Sequence, residues 1–209
     1  RLTRYGAPLR TDGGAIVAET GSALHLVRPI FRRNHAQSGG AFATGPLFIS
    51  GSNVTLHIAS GASLMSAFGP QSWPVIHNET ATRNRSCASG HRPCYQDFIV
   101  VLDCHGCALV GGGMLFGRAI ELQWYAGRDG HTHNSTMTAS APNMLTVQDS
   151  SDFLMRSVTI LDAPKFNVEL TAVRRAEIAF VNISSTWWKD GNGQVQQPYN
   201  TDGVSSPLA

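Results

Sequence analysis

A 23-residue repeat constrains the fold of this chain more than any other feature of its sequence. Residues 145–160, shifted by 23 positions, fall on residues 168–183 without a gap. Apolar residues then meet apolar residues: Leu145 meets Val168, Val147 meets Leu170, Met155 meets Ile178, Val158 meets Val181, and Ile160 meets Ile183. Within each copy the apolar residues alternate with others, which is typical of strands with one buried face. Less regular copies occur at residues 48–64 and 102–110.

A repeat of roughly 20 to 25 residues, built from short strands and tight turns, indicates a solenoid whose coils bury their inward side chains against each other. We therefore predict an all-β fold, a right-handed parallel β-helix. Other β-solenoids and a β-sandwich or barrel are the alternatives. Leucine-rich repeats are disfavoured because their spaced Leu and Asn signature is absent. A sandwich would need hairpin turns, and the Asp-Gly-Asn-Gly sequence at 190–193 has no strand pattern directly after it.

The composition excludes several classes of protein. Of the 209 residues only 14% are charged and 42% are hydrophobic, which excludes a disordered chain. The 16 basic and 14 acidic residues nearly balance, which excludes a polycationic nucleic-acid binder. No apolar run approaches the roughly 18 residues that a membrane span needs. We predict a monomer with neither a nucleic-acid nor a membrane partner.

Sequons and cysteines favour a secreted, extracellular glycoprotein. The five Asn-x-Ser/Thr sequons begin at Asn53, Asn78, Asn84, Asn134 and Asn182. The four cysteines are Cys87, Cys94, Cys104 and Cys107, for which three pairings into two disulfides exist. We favour Cys87–Cys94 and Cys104–Cys107, because each closes a short loop. Since Arg1 follows no leader peptide, we expect a mature form, a fragment or a partial gene sequence.

Two spacings are typical of metal sites, but neither predicts one here. The Cys104-x-x-Cys107 spacing would suit a zinc or redox site, yet a second Cys-x-x-Cys pair is absent. The His131-x-His133 spacing lies in a polar stretch that predicts a solvated loop. We therefore predict no metal and no cofactor.

The candidate chemistry lies at Asn200-Thr201-Asp202-Gly203, about one repeat after Val181. Taken alone, an Asp before Gly more often forms an Asx turn than an active site. The aromatic pairs 124–125 and 187–188 could stack on sugar rings, although burial under loops is at least as common for such residues.

Several segments, in order, resemble glycoside hydrolase family 28, the polygalacturonase family. Residues 44–56 and 60–64 resemble its first well-marked coil, and residues 111–117 followed by Trp124 resemble its glycine-rich stretch. Residues 142–160 and 167–183 resemble its next two coils, and 200–203 its Asn-Thr-Asp block. The likeness covers about residues 40 to 205. We predict one domain over 1–209, a truncated β-helix with a poorly matched segment 1–40 and loop excursions at 70–97 and 121–142.

The resemblance implies a secreted inverting hydrolase that cuts α-1,4 linkages in galacturonan, an acidic cell-wall polysaccharide. Such chemistry uses carboxyls on opposite sides of the scissile bond, roughly 6.5–9.5 Å apart. It implies that Asp202 is a carboxylate on the water side and that Asn200 shapes the site. Val204-Ser205 stands where the family has an apolar residue and Asp.

The family's remaining parts follow later: an Asp-Asp pair with the general acid, a Gly-His-Gly histidine and an Arg-x-Lys grip on the substrate carboxylate. None follows before Ala209, so we expect this chain alone to be inactive. We also expect it to be poorly soluble, because a β-helix cut after a middle coil exposes unpaired strand edges and an uncapped apolar core. The alternatives are a non-catalytic cell-wall-binding or structural β-helix and, ranked last, a polysaccharide lyase, for which a calcium-binding carboxylate cluster is not evident.

Overall fold

The computed structural model describes residues 2–5, 10–12, 15–17, 23–26, 41–76, 94–124, 139–189, 193–196 and 202–206. These residues form strands and turns, and no helix occurs among them. The strands are β1 Leu2–Tyr5, β2 Arg10–Asp12, β3 Ala15–Val17, β4 Ala23–Leu26, β5 Ala41–Thr44, β6 Leu47–Ser52, β7 Thr55–His57, β8 Ser63–Ser66, β9 Val75–Ile76, β10 Cys94–Tyr95, β11 Ile99–His105, β12 Ala108–Val110, β13 Met114–Phe116, β14 Leu145–Gln148, β15 Ser151–Arg156, β16 Thr159–Leu161, β17 Val168–Thr171, β18 Arg174–Ala179, β19 Asn182–Ser184, β20 Trp188–Lys189, β21 Val195–Gln196 and β22 Val204–Ser205.

Most of these strands stack in parallel on three faces of a β-helix. Face 1 contains β4, β6, β11, β14, β17 and β22, face 2 contains β7, β12, β15 and β18, and face 3 contains β5, β8, β13, β16 and β19. The chain visits the faces in that order, so coil 1 is β6–β8, coil 2 is β11–β13, coil 3 is β14–β16 and coil 4 is β17–β19. The prediction of a right-handed parallel β-helix is confirmed.

The register follows the sequence repeat. Leu145 pairs with Val168 on face 1, Met155 with Ile178 on face 2, and Ile160 with Ile183 on face 3. The period-2 pattern turns the apolar side chains inward, where Leu145, Val147, Met155 and Ile160 are fully buried. Stacking of identical inward positions therefore builds the core, as the 23-residue shift predicts.

Coils 2, 3 and 4 turn out of face 1 at the same ladder position. Asp103, Asp149 and Ala172 lie there, with φ values of 50°, 48° and 52°. This left-handed conformation is disfavoured for most L-residues but is tolerated by Asp and Asn. Two of the three positions carry Asp, so the local sequence suits the turn.

Two features were not predicted from the sequence. Strand β4, inside the poorly matched segment 1–40, extends face 1 by pairing in parallel with β6. Strands β20 and β21 pair in antiparallel orientation on either side of the 190–193 sequence, where no hairpin had been predicted. Each of these hairpin strands has only two residues, too few to produce a visible alternation in the sequence.

Candidate functional site

The register places Asp202 at the corner where a coil begins face 1. Val168 pairs with Val204, so Asp202 lies beside Phe166 of the preceding coil. The same ladder position is held by Asn143 in coil 3 and Asp97 in coil 2. Backbone bonds confirm the alignment: Phe98 N donates to Asn143 O at 2.9 Å, Met144 N to Phe166 O at 2.9 Å, and Asn167 N to Asp202 O at 3.0 Å. We call Asp97, Asn143, Phe166 and Asp202 the corner row.

The long connections of the described coils all lead into this row. The chain passes from face 3 back to face 1 through residues 45–46, 67–98, 117–144, 162–167 and 185–203, of which 67–98, 117–144 and 185–203 are long. By contrast, two residues separate faces 1 and 2 in every coil, for example 149–150. The described parts of the predicted excursions, residues 70–76, 94–97, 121–124 and 139–142, therefore belong to connections that lead to the corner row. Long connections on a stiff scaffold are where binding and catalytic groups concentrate.

The first two connections pack together through buried aromatic rings. Trp124 meets Trp73 and Tyr95 edge to face, with ring centroids 5.9 and 5.1 Å apart. All three side chains are buried, and the Trp73 indole donates to Gln96 O. Trp124 is therefore a packing residue and does not offer a surface for sugar stacking, whereas Trp187 is 59% exposed.

A buried polar cluster joins two residues of the corner row, Asp97 and Asn143, to two residues of face 1, Thr146 and Glu169. Asp97 accepts hydrogen bonds from Asn143 N at 2.8 Å and from Thr146 Oγ1 at 2.6 Å. The Asn143 side-chain amide donates to Glu169 Oε2. The four side chains, Asp97, Asn143, Thr146 and Glu169, are each at most 4% exposed. Burial, together with the nearby Asp97, raises the pKa of Glu169, and Lys165 partly opposes the shift.

The row opens to solvent at its last two members. Asp202 is exposed, and Phe166 is half-buried with Lys165 Nζ 4.8 Å from the centre of its ring. Asn167, which is fully buried, donates its side-chain amide to Asp202 O at 3.1 Å in addition to its backbone N–H. Two donors thus fix the carbonyl of Asp202 at the corner.

The remaining predicted site residues are scattered. Cys104 and Cys107 form a disulfide with a Cα–Cα distance of 6.0 Å. Cys94 is also disulfide-bonded, while Cys87 lies outside the described residues. Asn53 and Asn182 are exposed, as glycosylation requires. The other predicted positions lie outside the described residues: Asn78, Asn84, His131, His133, Asn134 and Asn200.

The described ranges contain neither a metal-binding cluster nor a membrane-spanning helix. No group of three or more His, Cys, Asp or Glu side chains there could hold a metal ion. No helix in the same ranges is long and apolar enough to cross a membrane.

Sequence reasoning missed Lys165, Phe166 and the buried cluster. Counting back one repeat from Phe166 reaches Asn143, so the position of the row could have been read from the 23-residue shift. The burial of Glu169 could not, because a polar residue at an outward position of a strand is ordinarily expected to face solvent.

Comparison with known proteins yields fold relatives at low identity. No protein-family model and no curated protein sequence matches the chain. A polygalacturonase from Erwinia carotovora ssp. carotovora superposes with a TM-score of 0.59 at 19% identity, over 90% of this chain and 45% of that chain. A family 28 exopolygalacturonase from Yersinia enterocolitica superposes with a TM-score of 0.56 at 11% identity, over 90% of this chain and 36% of that chain.

The chain therefore spans less than half the length of these two solved structures. Together with the stacked register of coils 1 to 4, the superpositions show that the chain has the right-handed parallel β-helix fold of the polygalacturonases.

Proposed function

We propose that this chain is part of a secreted, pectin-degrading glycoside hydrolase that cleaves α-1,4 linkages of galacturonan with inversion. The observation that carries the proposal is the exposed carboxylate of Asp202 at the open end of the corner row, where the long connections converge. The sequence resemblance at 200–203 and the shared fold support it.

The geometry suits a general base. In an inverting reaction, a carboxylate removes a proton from water while an acid across the sugar protonates the leaving oxygen. Asp202 is held by its backbone carbonyl, through the two donors of Asn167, so its side chain remains available to solvent and substrate. The acid would come from a part of the protein beyond this sequence, in accordance with the chain's 45% coverage of the Erwinia enzyme.

The test uses the protein encoded by the complete reading frame, with polygalacturonate as substrate and reducing ends as readout. Asp202→Asn keeps the size of the side chain but removes the base, and we expect kcat to fall by about 10²-fold or more. The matched control is Asp152→Asn, which removes an exposed carboxylate on face 2, and we expect it to retain wild-type kcat. The isolated 209-residue chain should release no reducing ends.

A non-catalytic polysaccharide-binding protein is the second candidate, and one observation favours it. Asp97 holds the same ladder position as Asp202 but is buried, and both of its carboxylate oxygens accept hydrogen bonds, which shows that Asp at this corner can be structural. Wild-type kcat in Asp202→Asn would contradict a catalytic role for this residue. Binding of polygalacturonate by a folded wild type that releases no reducing ends would establish the second candidate.

A further inference from the structure

The exposed Trp187 belongs to a hairpin that lies outside the three faces of the β-helix. Among the described strands, β20 and β21 pair only with each other, so they occupy no ladder position that a stacked coil would bury. Val204, which is 47% exposed, differs, because it pairs with Val168 at an inward position of face 1. Stacking of coils therefore does not account for the exposure of Trp187 and of Val195, which is 58% exposed.

One side of this hairpin presents three exposed side chains of different chemistry. Lys189 pairs with Val195 across the hairpin, and the side chains of such a pair lie about 5 Å apart on the same side. Trp187 directly precedes β20, and residues two apart in an extended chain point to the same side, so Trp187 accompanies Lys189. All three side chains are exposed. We call Trp187, Lys189 and Val195 the hairpin platform.

The scaffold fixes the base of the hairpin platform. Thr186, next to Trp187, donates its backbone N–H to Asp162 Oδ1 at 2.6 Å, and the backbone N–H of Asp162 donates to Ser184 O at 3.0 Å. Asp162 is itself buried at the end of face 3. Because a two-stranded hairpin alone is marginally stable in water, these bonds restrict where the Trp187 indole can lie.

The short connection 162–167 ties the hairpin platform and Asp202 to the same part of the scaffold. Its first residue, Asp162, binds Thr186 at the start of the connection 185–203, and its last residue, Asn167, binds Asp202 O at the end. Five extended residue steps span at most about 18 Å, which limits the distance between the Cα atoms of Asp162 and Asn167. A polymeric substrate is longer than this, so one chain can contact both Asp202 and the platform.

The chemistry of the hairpin platform suits an acidic sugar. The exposed indole of Trp187 offers a flat apolar surface for a sugar ring, and Val195 extends that surface. A lysine ammonium forms charge-assisted hydrogen bonds with carboxylates. No carboxylate of the described ranges forms an ion pair with Lys189, so its charge can serve a ligand. A stacking surface beside a positive charge favours uronic acids over neutral sugars.

We propose that the hairpin platform is a second binding site for the galacturonan chain, which holds a uronic acid residue away from Asp202. The inference rests on the proposed function. The platform takes no part in bond cleavage, so it adds affinity for long substrates without raising kcat.

The first experiment measures protection of Trp187 by the polysaccharide. The complete protein carrying Asp202→Asn, which keeps the polymer intact, is treated with a limiting amount of N-bromosuccinimide, and oxidised tryptophans are identified by mass spectrometry. We expect Trp187 to be oxidised in the free protein and protected by polygalacturonate, while the fully buried Trp124 stays unmodified in both samples. A Trp187 that resists oxidation in the free protein, or that polygalacturonate does not protect, would overturn the inference.

The second experiment varies the length of the substrate. Trp187→Ala should raise KM for polygalacturonate at least about tenfold with kcat within about twofold, and should leave both constants unchanged for the shortest oligomer that the wild type cleaves. The matched control Phe180→Ala removes another exposed aromatic ring, from the turn between β18 and β19, and should change neither constant. Equal losses on the polymer and the shortest oligomer would overturn a site separate from Asp202.

The third experiment separates charge from stacking by affinity electrophoresis in gels that contain polygalacturonate or its uncharged methyl ester. Trp187→Ala should weaken binding to both polymers, whereas Lys189→Met should weaken binding about threefold to the charged polymer alone, with recovery in Lys189→Arg. Equal losses on both polymers in Lys189→Met would contradict recognition of the carboxylate. A folded wild type that releases no reducing ends overturns the proposed function, whereas loss of the protection or of the length effect overturns only the platform.

Discussion

Coils 3 and 4 carry the same pattern of side chains in register, yet they differ in how much of it is buried. Met155 in coil 3 is 0% exposed, while its ladder partner Ile178 in coil 4 is only partly buried. Coil 3 is covered by coils 2 and 4 on all three faces. In coil 4, β22 covers face 1, but no described strand covers faces 2 and 3. The difference shows that sequence selects the inward positions, but only a neighbouring coil buries them.

The largest expected effect is on the core of the inner coil. Met155→Ala should lower the free energy of unfolding by about 3 kcal/mol, because it leaves a cavity between coils that cannot collapse. Ile178→Ala, its matched partner, should lower it by about 1 kcal/mol, because part of that side chain is already in water. Urea denaturation of both variants checks the comparison, and equal losses would show that the two coils are covered alike.

A smaller effect is expected on the pH dependence of stability, where the ionisable Glu169 differs from its neutral ladder partner Thr146. Glu169 in coil 4 pairs with Thr146 in coil 3, and burial raises the pKa of Glu169 above its usual 4.5. A raised folded pKa means that the contribution of Glu169 to stability is fully present below pH 4.5 and is lost as pH rises through the folded pKa. Glu169→Gln keeps an acceptor for Asn143 and should flatten this fall, so that its advantage over wild type grows with pH.

Melting temperatures between pH 4 and 8 measure this difference. Thr146→Ser, which keeps the hydroxyl donor to Asp97, serves as the matched control and should retain the wild-type pH profile. Parallel profiles for wild type and Glu169→Gln would contradict the assignment of the pH dependence to Glu169.

The smallest effect is expected for the ion pair that joins the same two coils at the surface. Arg175 donates to Asp152 through Nε at 2.5 Å and Nη2 at 2.7 Å, and this bonding lowers the pKa of Asp152. Here the stabilisation is lost as pH falls through the lowered pKa, opposite in sign to Glu169. Asp152→Asn should reduce the melting temperature slightly at low salt and hardly at all in molar salt. A loss that persists in molar salt would indicate a contact other than the ion pair.

The architecture could be predicted from the sequence because equivalent positions of successive repeats stack on each other in the fold. Leu145 over Val168 and Ile160 over Ile183 follow from one shift of 23 residues, since identical inward positions must stack. The repeat also predicted that Asp202 lies about one coil after Val181, and β22 does pair with β17 of coil 4. The catalytic role of Asp202 is a proposal.

The rest depends on contacts between segments that do not repeat. Trp124 and Trp187 each begin a pair of aromatic residues in the sequence. Trp124 is buried against Trp73 and Tyr95, whereas Trp187 is exposed. The buried cluster around Glu169 could not be predicted either, because polar residues at outward positions of a strand are ordinarily expected to be exposed to solvent.

The gathering of all long connections at one corner has a consequence for how such a chain can change. Lengthening a loop is thermodynamically cheap, about 0.6 kcal/mol for each doubling of its length. Because only two residues separate the face 1 and face 2 strands of each coil, insertions and deletions between faces 3 and 1 can change the surroundings of Asp202 without disturbing the stacked strands. The surroundings of Asp202 can therefore change in shape while the scaffold that positions this residue stays the same.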